Sequence, residues 1–392
     1  MLALKLLFFI SLFIIFYSYV GYGIVIWLLV KIKNAVNGKK DIPVADFHPP
    51  VTLIIAAYNE ADFIEQKIAN SLQLDYPEDQ LQLLFITDGS NDATPEIIKQ
   101  YPRIQLLHSD ERRGKVAAMH RAMDFVKTPY VVFSDANTLL NKESITNIVR
   151  HYQDPKVGGV AGEKKVIATG EEGAAGAGEG LYWKYESFLK QIDSDFYTVV
   201  GAAGELFSVK TALYENPGTT TLLDDFVISL RVCQKGYTVK YAADAFASET
   251  PSASIGDEQK RKVRIGAGGF QSMLMLLPLL NFFKYPRLSF QYVSHRVLRW
   301  AVCPFLLPVI LVLNILLVVY NQGLLYEVVL VLQILFYAAA FGGWVLHKHN
   351  IKSKLLYVPY YFLFINICLY LGLVRFIKGR QTVLWEKASR AK

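Results

Sequence analysis

Acids stand where several apolar runs of this chain stop. Asp135 follows Tyr130-Val131-Val132-Phe133-Ser134, with Asn137 two places on, and Asp88 follows Leu83-Leu84-Phe85-Ile86-Thr87. Glu60 closes Val51–Ala57 after Tyr58-Asn59, and the adjacent pair Asp224-Asp225 comes later. A carboxylate beside a phosphate calls for a hard divalent cation; magnesium takes one or two protein carboxylates and leaves other positions to water and phosphate. Asp135 with neutral Asn137 suffices if a diphosphate brings the remaining charge, and the metal then offsets charge growing on the departing phosphate. Asp224 and Asp225 repel each other, which lifts the pKa of one of them toward the range a general base needs. In the basic run 258–264, Arg261 and Arg264 offer bidentate donors for a diphosphate. The same run also reads as a membrane-surface patch.

The elements that must position these groups are legible from periodicity. Val51–Ala57, Leu83–Thr87, Ile104–Leu107 and Tyr130–Ser134 have the β-branched, apolar character of buried strands. Ile64, Ile68 and Leu72 recur at helical spacing after the first, with Asn59 as the expected N-cap. Pro95 opens a second helix, and Val116, Met119, Met123 and Val126 form the face of a third, introduced by Arg112-Arg113-Gly114-Lys115. Strands alternating with helices predict a parallel α/β sheet joined by right-handed crossovers. Ligands of such sheets bind beyond the carboxyl ends of the strands, where these acids lie. Further on, Val157–Gly162 reads as another strand, the glycine-dense 170–180 as a linker or a mobile loop over a site, and Gly201–Glu205 as a turn.

Of the 392 residues, 53% are hydrophobic, and the excess gathers at residues 1–30 and after residue 270. Leu6–Val30 is long enough to span a bilayer, and Val297–Tyr320, Leu324–Leu346 and Leu355–Val374 are further candidates. Lys31, Lys33, Lys39 and Lys40 follow the first span, against Lys5 before it, which puts the middle domain in the cytosol of a bacterial-type inner or plasma membrane. The net charge of +7 is carried by cations beside apolar runs, which fits lipid headgroups and not nucleic acid. Three crossings from a cytosolic domain leave the C-terminus outside, yet Arg375, Lys378, Arg380, Lys387, Arg390 and Lys392 favour the inside. Two full crossings with one re-entrant or interfacial segment would meet the charge rule. The expected organisation is an N-terminal anchor (1–33), a linker (34–50), a catalytic domain (51–265), an amphipathic interfacial segment (266–296), membrane helices (297–376) and a basic tail (377–392).

Four motifs carry a family resemblance: Ala56-Ala57-Tyr58-Asn59-Glu60, Thr87-Asp88-Gly89-Ser90-Asn91-Asp92, Arg113-Gly114-Lys115 and Phe133-Ser134-Asp135-Ala136-Asn137. In this order they resemble membrane-embedded family 2 glycosyltransferases, similar to poly-N-acetylglucosamine, hyaluronan and cellulose synthases. The resemblance implies a GT-A-like (Rossmann-like) nucleotide-sugar-binding domain flanked by transmembrane helices. It further implies that Ala57, Tyr58, Glu60, Asp88, Lys115 and Asp135 hold the nucleotide, that Asp135 with Asn137 holds Mg2+ or Mn2+, and that Gly204 and Glu205 line the acceptor end. Asp225 matches the family's base, with Leu223-Asp224 in place of Thr-Glu. Arg261-Lys262-Val263-Arg264-Ile265 keeps the arginine of the processive QxxRW motif and lacks its glutamine and tryptophan. The implied activity is inverting, metal-dependent transfer from a nucleotide-diphosphate sugar, a UDP-sugar foremost, to a hydroxyl of a growing polysaccharide. Single addition to a lipid or lipid-linked acceptor is the alternative, and a nucleotide-binding scaffold or transporter a more remote one.

Overall fold

The computed structural model describes residues 1–38, 47–167, 174–250, 255–349, 351 and 353–379. The chain begins with α1 (Leu2–Phe16), which passes through a π-helical turn into α2 (Tyr22–Asn37). Next come β1 (Val51–Ala57), α3 (Ile64–Leu72), β2 (Leu81–Asp88), α4 (Thr94–Lys99), β3 (Ile104–Ser109), α5 (Lys115–Met123) and β4 (Tyr130–Asp135). The second half of the domain holds β5 (Leu139–Leu140), α6 (Ser144–Val149), β6 (Val157–Val166), α7 (Ala174–Phe196), β7 (Leu206–Lys210), α8 (Asp224–Gln234), β8 (Thr238–Glu249) and α9 (Ile255–Met275). Then α10 (Pro286–Tyr292) runs through the π-helical stretch Val293–Val302 into α11 (Cys303–Val319), followed by α12 (Leu324–Lys348) and α13 (Lys354–Ile377).

Among the described residues the strands form one sheet in the order β3-β2-β1-β4-β7-β6-β8-β5. β3, β2, β1 and β4 are mutually parallel, as the strand–helix alternation predicts, while β7 pairs antiparallel with β4 and β6. Both faces of the parallel half are covered, so its strands are apolar throughout. Leu53, Ile55 and Phe85 face α3, α4 and α6, whereas Ile54, Leu84 and Phe133 face α5 and α8. The register sets Ala57 beside Thr87 and Ala56 beside Asp135, so β1, β2 and β4 end along one rim.

Several elements depart from expectation. Asn59 does not cap α3: its φ is +53°, its side chain bonds Asn91, and the helix begins only at Ile64. Residues 170–173 of the glycine-dense stretch lie outside the described residues, and from Ala174 it is the first turns of α7. The basic run and the apolar face Phe270, Met273 and Leu274 belong to one helix, α9.

Among the described residues four helical segments are long and apolar enough to cross a membrane: Leu2–Asn37, Pro286–Val319, Leu324–Lys348 and Leu355–Ile377. The last packs back on α9. A Cβ placed on Gly372 of α13 would lie 2.8 Å from the backbone nitrogen of Ala267, so α9 and α13 touch backbone to backbone. Lys260 of α9 and Lys378, which follows α13, line one cavity, so the end of α13 lies beside α9.

Candidate active site

The rim of the sheet collects the predicted acids around the start of α5. Asp88, buried at the end of β2, accepts hydrogen bonds through Oδ2 from the backbone N–H groups of Arg113 (2.9 Å) and Gly114 (2.6 Å). That fixes the turn into α5 and sends Lys115 across to Asp135, where its ammonium pairs with Oδ1. Burial alone would lower the Lys115 pKa, but Asp135 foremost, then Asp224 and Asp225, hold it above the usual lysine range. Lys115 therefore sits among three carboxylates from β4 and α8.

Among the described residues Oδ1 of Asp88 is buried with no hydrogen-bond partner, and Arg121 Nη1 stands 3.7 Å from it. A buried acceptor left open is costly unless something donates to it, and a ligand group with an N–H or O–H would meet that need. The neighbouring loop is tightly built. Gly89 has φ +68°, and a Cβ there would lie 2.9 Å from the Cα of Arg112, so only glycine lets the two segments approach this closely. Arg112 places its guanidinium 3.8 Å from the ring centre of Tyr58. The loops after β1 and β2 are laced together: Glu60 N–H donates to Thr94 Oγ1 (2.9 Å) and Ala61 N–H to Asp92 Oδ2 (3.1 Å).

Asp224 and Asp225 occupy the first turn of α8, where the helix N-terminus favours negative charge. Burial, with Asp224 second, pushes the Asp225 carboxyl up to about 7 although Lys115 pulls the other way. The Asp224 carboxyl is raised as well, by burial, and its Oδ2 has no hydrogen-bond donor among the described residues. A Cβ on Gly204 would lie 3.3 Å from Asp225 Oδ2 and 3.4 Å from Lys115 Nζ. The missing side chain leaves the space in front of both groups clear.

Arg264 of α9 reaches the same cluster. Burial lowers its pKa, Asp224, Asp135 and Asp225 counter that, and its buried Nε has no hydrogen-bond partner among the described residues. Arg261 is not brought there. It pairs with Glu258 (2.7 Å) and faces Glu249 at 3.6 Å. Glu249 in turn pairs with Lys164, which also holds Glu205 at 2.6 Å. Burial raises the Glu205 carboxyl, but Lys164 outweighs it and keeps the group well below the usual carboxylate range. Glu205 is thus an ionised member of an ion-pair chain with Lys164 and Glu249.

Sequence reasoning missed Lys67. It is fully buried on α3 and donates to Ser134 Oγ (2.8 Å) and the Thr138 carbonyl (2.9 Å), bracing the turn that carries Asp135 and Asn137. Burial lowers its pKa to about 7, opposed by Asp135. Lys67 lies next to Ile68 on the apolar face of α3; that position was the available signal, and a lysine there also reads as a solvated flank.

The chemistry of the donor set fits a divalent cation. Asp135 is half-buried and Asn137 stands two residues on, and a cation beside a diphosphate needs few protein ligands. No group of three or more His, Cys, Asp or Glu among the described residues forms a metal cage. That pattern suits magnesium or manganese shared with phosphate oxygens better than an all-protein site.

The sequence model of glycosyl transferase family 2 matches residues 52–216. Poly-beta-1,6-N-acetyl-D-glucosamine synthase of Staphylococcus aureus is 26% identical over 255 residues, 62% of this chain and 60% of that protein. The Staphylococcus epidermidis synthase is 23% identical over 235 residues, 57% of this chain and 55% of its own length. The chain thus spans less than two thirds of these relatives. Among solved structures, the mannosyltransferase PcManGT from Pyrobaculum calidifontis, in complex with GDP-Man and Mn2+, superposes with a TM-score of 0.68 at 22% identity, covering 96% of this chain and 100% of that one. The chain carries a family 2 glycosyltransferase domain, built on the GT-A fold and flanked by apolar helices.

Proposed function

We propose that the chain is an inverting membrane glycosyltransferase that moves a sugar from a nucleotide-diphosphate donor, a UDP-sugar foremost, to an acceptor hydroxyl. The observation that carries the reading is the meeting of Asp225, Lys115 and Asp135 at one point on the sheet rim, with Asp225 lifted to about 7. Asp135 and Asn137 would hold a divalent cation, which supplies charge compensation on the diphosphate. PcManGT was solved with Mn2+, which supports a divalent ion without choosing between Mg2+ and Mn2+.

Tyr58, Glu60 and the open Oδ1 of Asp88 lie where the nucleotide would bind, and Lys115 and Arg264 where the diphosphate would. Asp225 takes the proton of the acceptor hydroxyl as its oxygen attacks the anomeric carbon. The bond from that carbon to the diphosphate breaks, and the electron pair leaves with the phosphate oxygen. One base and one leaving group on opposite sides of the sugar require no covalent intermediate, so configuration inverts.

The poly-N-acetylglucosamine synthases among the relatives favour a polysaccharide acceptor. Arg261 and Ile265, in the places of glutamine and tryptophan in QxxRW, favour single addition to a lipid or lipid-linked acceptor. The lysines after α2 and the basic end of α13 support a cytosolic catalytic domain. The test is a screen of nucleotide sugars, UDP- and GDP-linked, for metal-dependent release of nucleoside diphosphate by the purified chain, with product length read on the same samples. Release by no donor, or equal release by Asp225→Asn, overturns the proposal.

A further inference from the structure

Where α9 and α13 pass each other they part around a cavity of about 590 Å³. Val263 of α9 and Leu371 and Val374 of α13 supply apolar wall, and Lys260, Arg375 and Lys378 supply three cations. Leu371 and Val374 remain 42% and 46% exposed, so the wall is open to whatever surrounds the helices. Among the described residues no acid lines the cavity. Asp257 comes only within 4.0 Å of Lys260, whose side chain is 76% exposed. Among the described residues Arg375 and Lys378 have no ion-pair partner. Three like charges around one apolar wall repel each other unless an anion joins them.

The location narrows the anion. α13 is one of the segments apolar enough to lie in a bilayer, and the cations stand at its last turn and at the start of α9. A molecule matching both features carries a phosphate at one end and a hydrocarbon chain at the other. Juxtamembrane basic clusters attract such headgroups strongly. We propose that this groove binds an anionic phospholipid, its phosphate between Lys260, Arg375 and Lys378 and its chain along Val263, Leu371 and Val374. Arg375 also faces Arg264, adding to the burial that lowers that guanidinium's pKa. A lipid phosphate on Arg375 relieves the repulsion and links the state of the bilayer to the arginine nearest the carboxylates.

The binding claim stands apart from the proposed transfer reaction, because it is measured without a sugar donor. Full-length protein stripped of lipid in neutral detergent is titrated with short-chain phosphatidylglycerol, short-chain phosphatidylcholine or inorganic phosphate. Melting temperature and bound lipid by native mass spectrometry are the readouts. Phosphatidylglycerol should raise the melting temperature saturably and give a single-lipid adduct; the other two should not. Replacing Lys260, Arg375 and Lys378 together by Gln should weaken that binding on the order of a hundredfold, and Arg375→Gln alone about fivefold. Both variants should match the unsubstituted protein in melting temperature without lipid. An equal response to phosphatidylcholine or to inorganic phosphate overturns the proposal. So does unchanged affinity in Arg375→Gln, which removes one charge and tests the site even if the triple variant fails to fold.

Discussion

At the scale of single residues, Asp225 is the group whose environment is most telling. A carboxyl near 7 is half ionised at neutral pH, able to take a proton from an acceptor and release it again. If it is the base, kcat/KM should rise with pH to about 7 and then level off, and Asp225→Asn should cost roughly 10²–10⁴-fold while the protein stays folded. Loss of the acidic limb is the check; an unchanged profile in Asp225→Asn would reject the assignment. The same shift affects stability. The folded carboxyl holds its proton to about 7 while the unfolded one releases it near 3.8, so the folded state binds more protons between those values. Its contribution is therefore complete below about pH 4 and declines as pH rises through 7. Asp225→Asn should melt higher than the unsubstituted protein at pH 8, with the gap closing toward pH 4.

At the scale of elements, the turn before β7 borders the carboxylate cluster. Gly201 has φ +90°, and the ring of Phe226 lies where its Cβ would be. Gly201→Ala should destabilise by about 2–4 kcal/mol, from left-handed backbone strain and overpacking, measurable by denaturant titration. Gly204→Ala is a different change: its φ is ordinary, and the new methyl lands against Asp225 and Lys115. Activity should fall while the melting temperature barely moves, and a large loss of stability would argue against an open space at this point. The turn is anchored from outside by Arg296, whose Nε donates to the Val200 carbonyl at 3.2 Å.

Arg296 belongs to the joint that makes one molecule of the sheet domain and the apolar helices. Glu186 of α7 accepts from Arg299 (2.7 Å) and Arg296 (3.1 Å), while Asp193 of the same helix meets His295 at 2.6 Å and Tyr22 of α2. Burial would raise the Glu186 carboxyl, yet the two arginines keep it well below its ordinary value. Removing one member strands the others' charges in a buried place, so Glu186→Gln should cost about 3–5 kcal/mol. A melt in detergent checks this, and an unaltered melting temperature would mean that the joint relaxes freely. On the far side of α9, contact with α13 explains how an apolar helix can end with its basic residues beside the catalytic domain.

The sequence alone was enough for the parallel half of the sheet, because strands buried on both faces must be apolar runs and their crossovers amphipathic helices. It also placed Asp88 and Asp135 at strand ends, since polarity returns where a strand leaves the core. Tertiary structure alone decided which cations meet those acids. Arg261 and Arg264 are three residues apart on one helix, and only the packing of α9 turns Arg264 to the carboxylates and Arg261 to Glu258 and Glu249. Lys67 was hidden for the same reason: its worth lies in Ser134 and Thr138, roughly 70 positions away, and burial of a lysine is set by partners that no local pattern records.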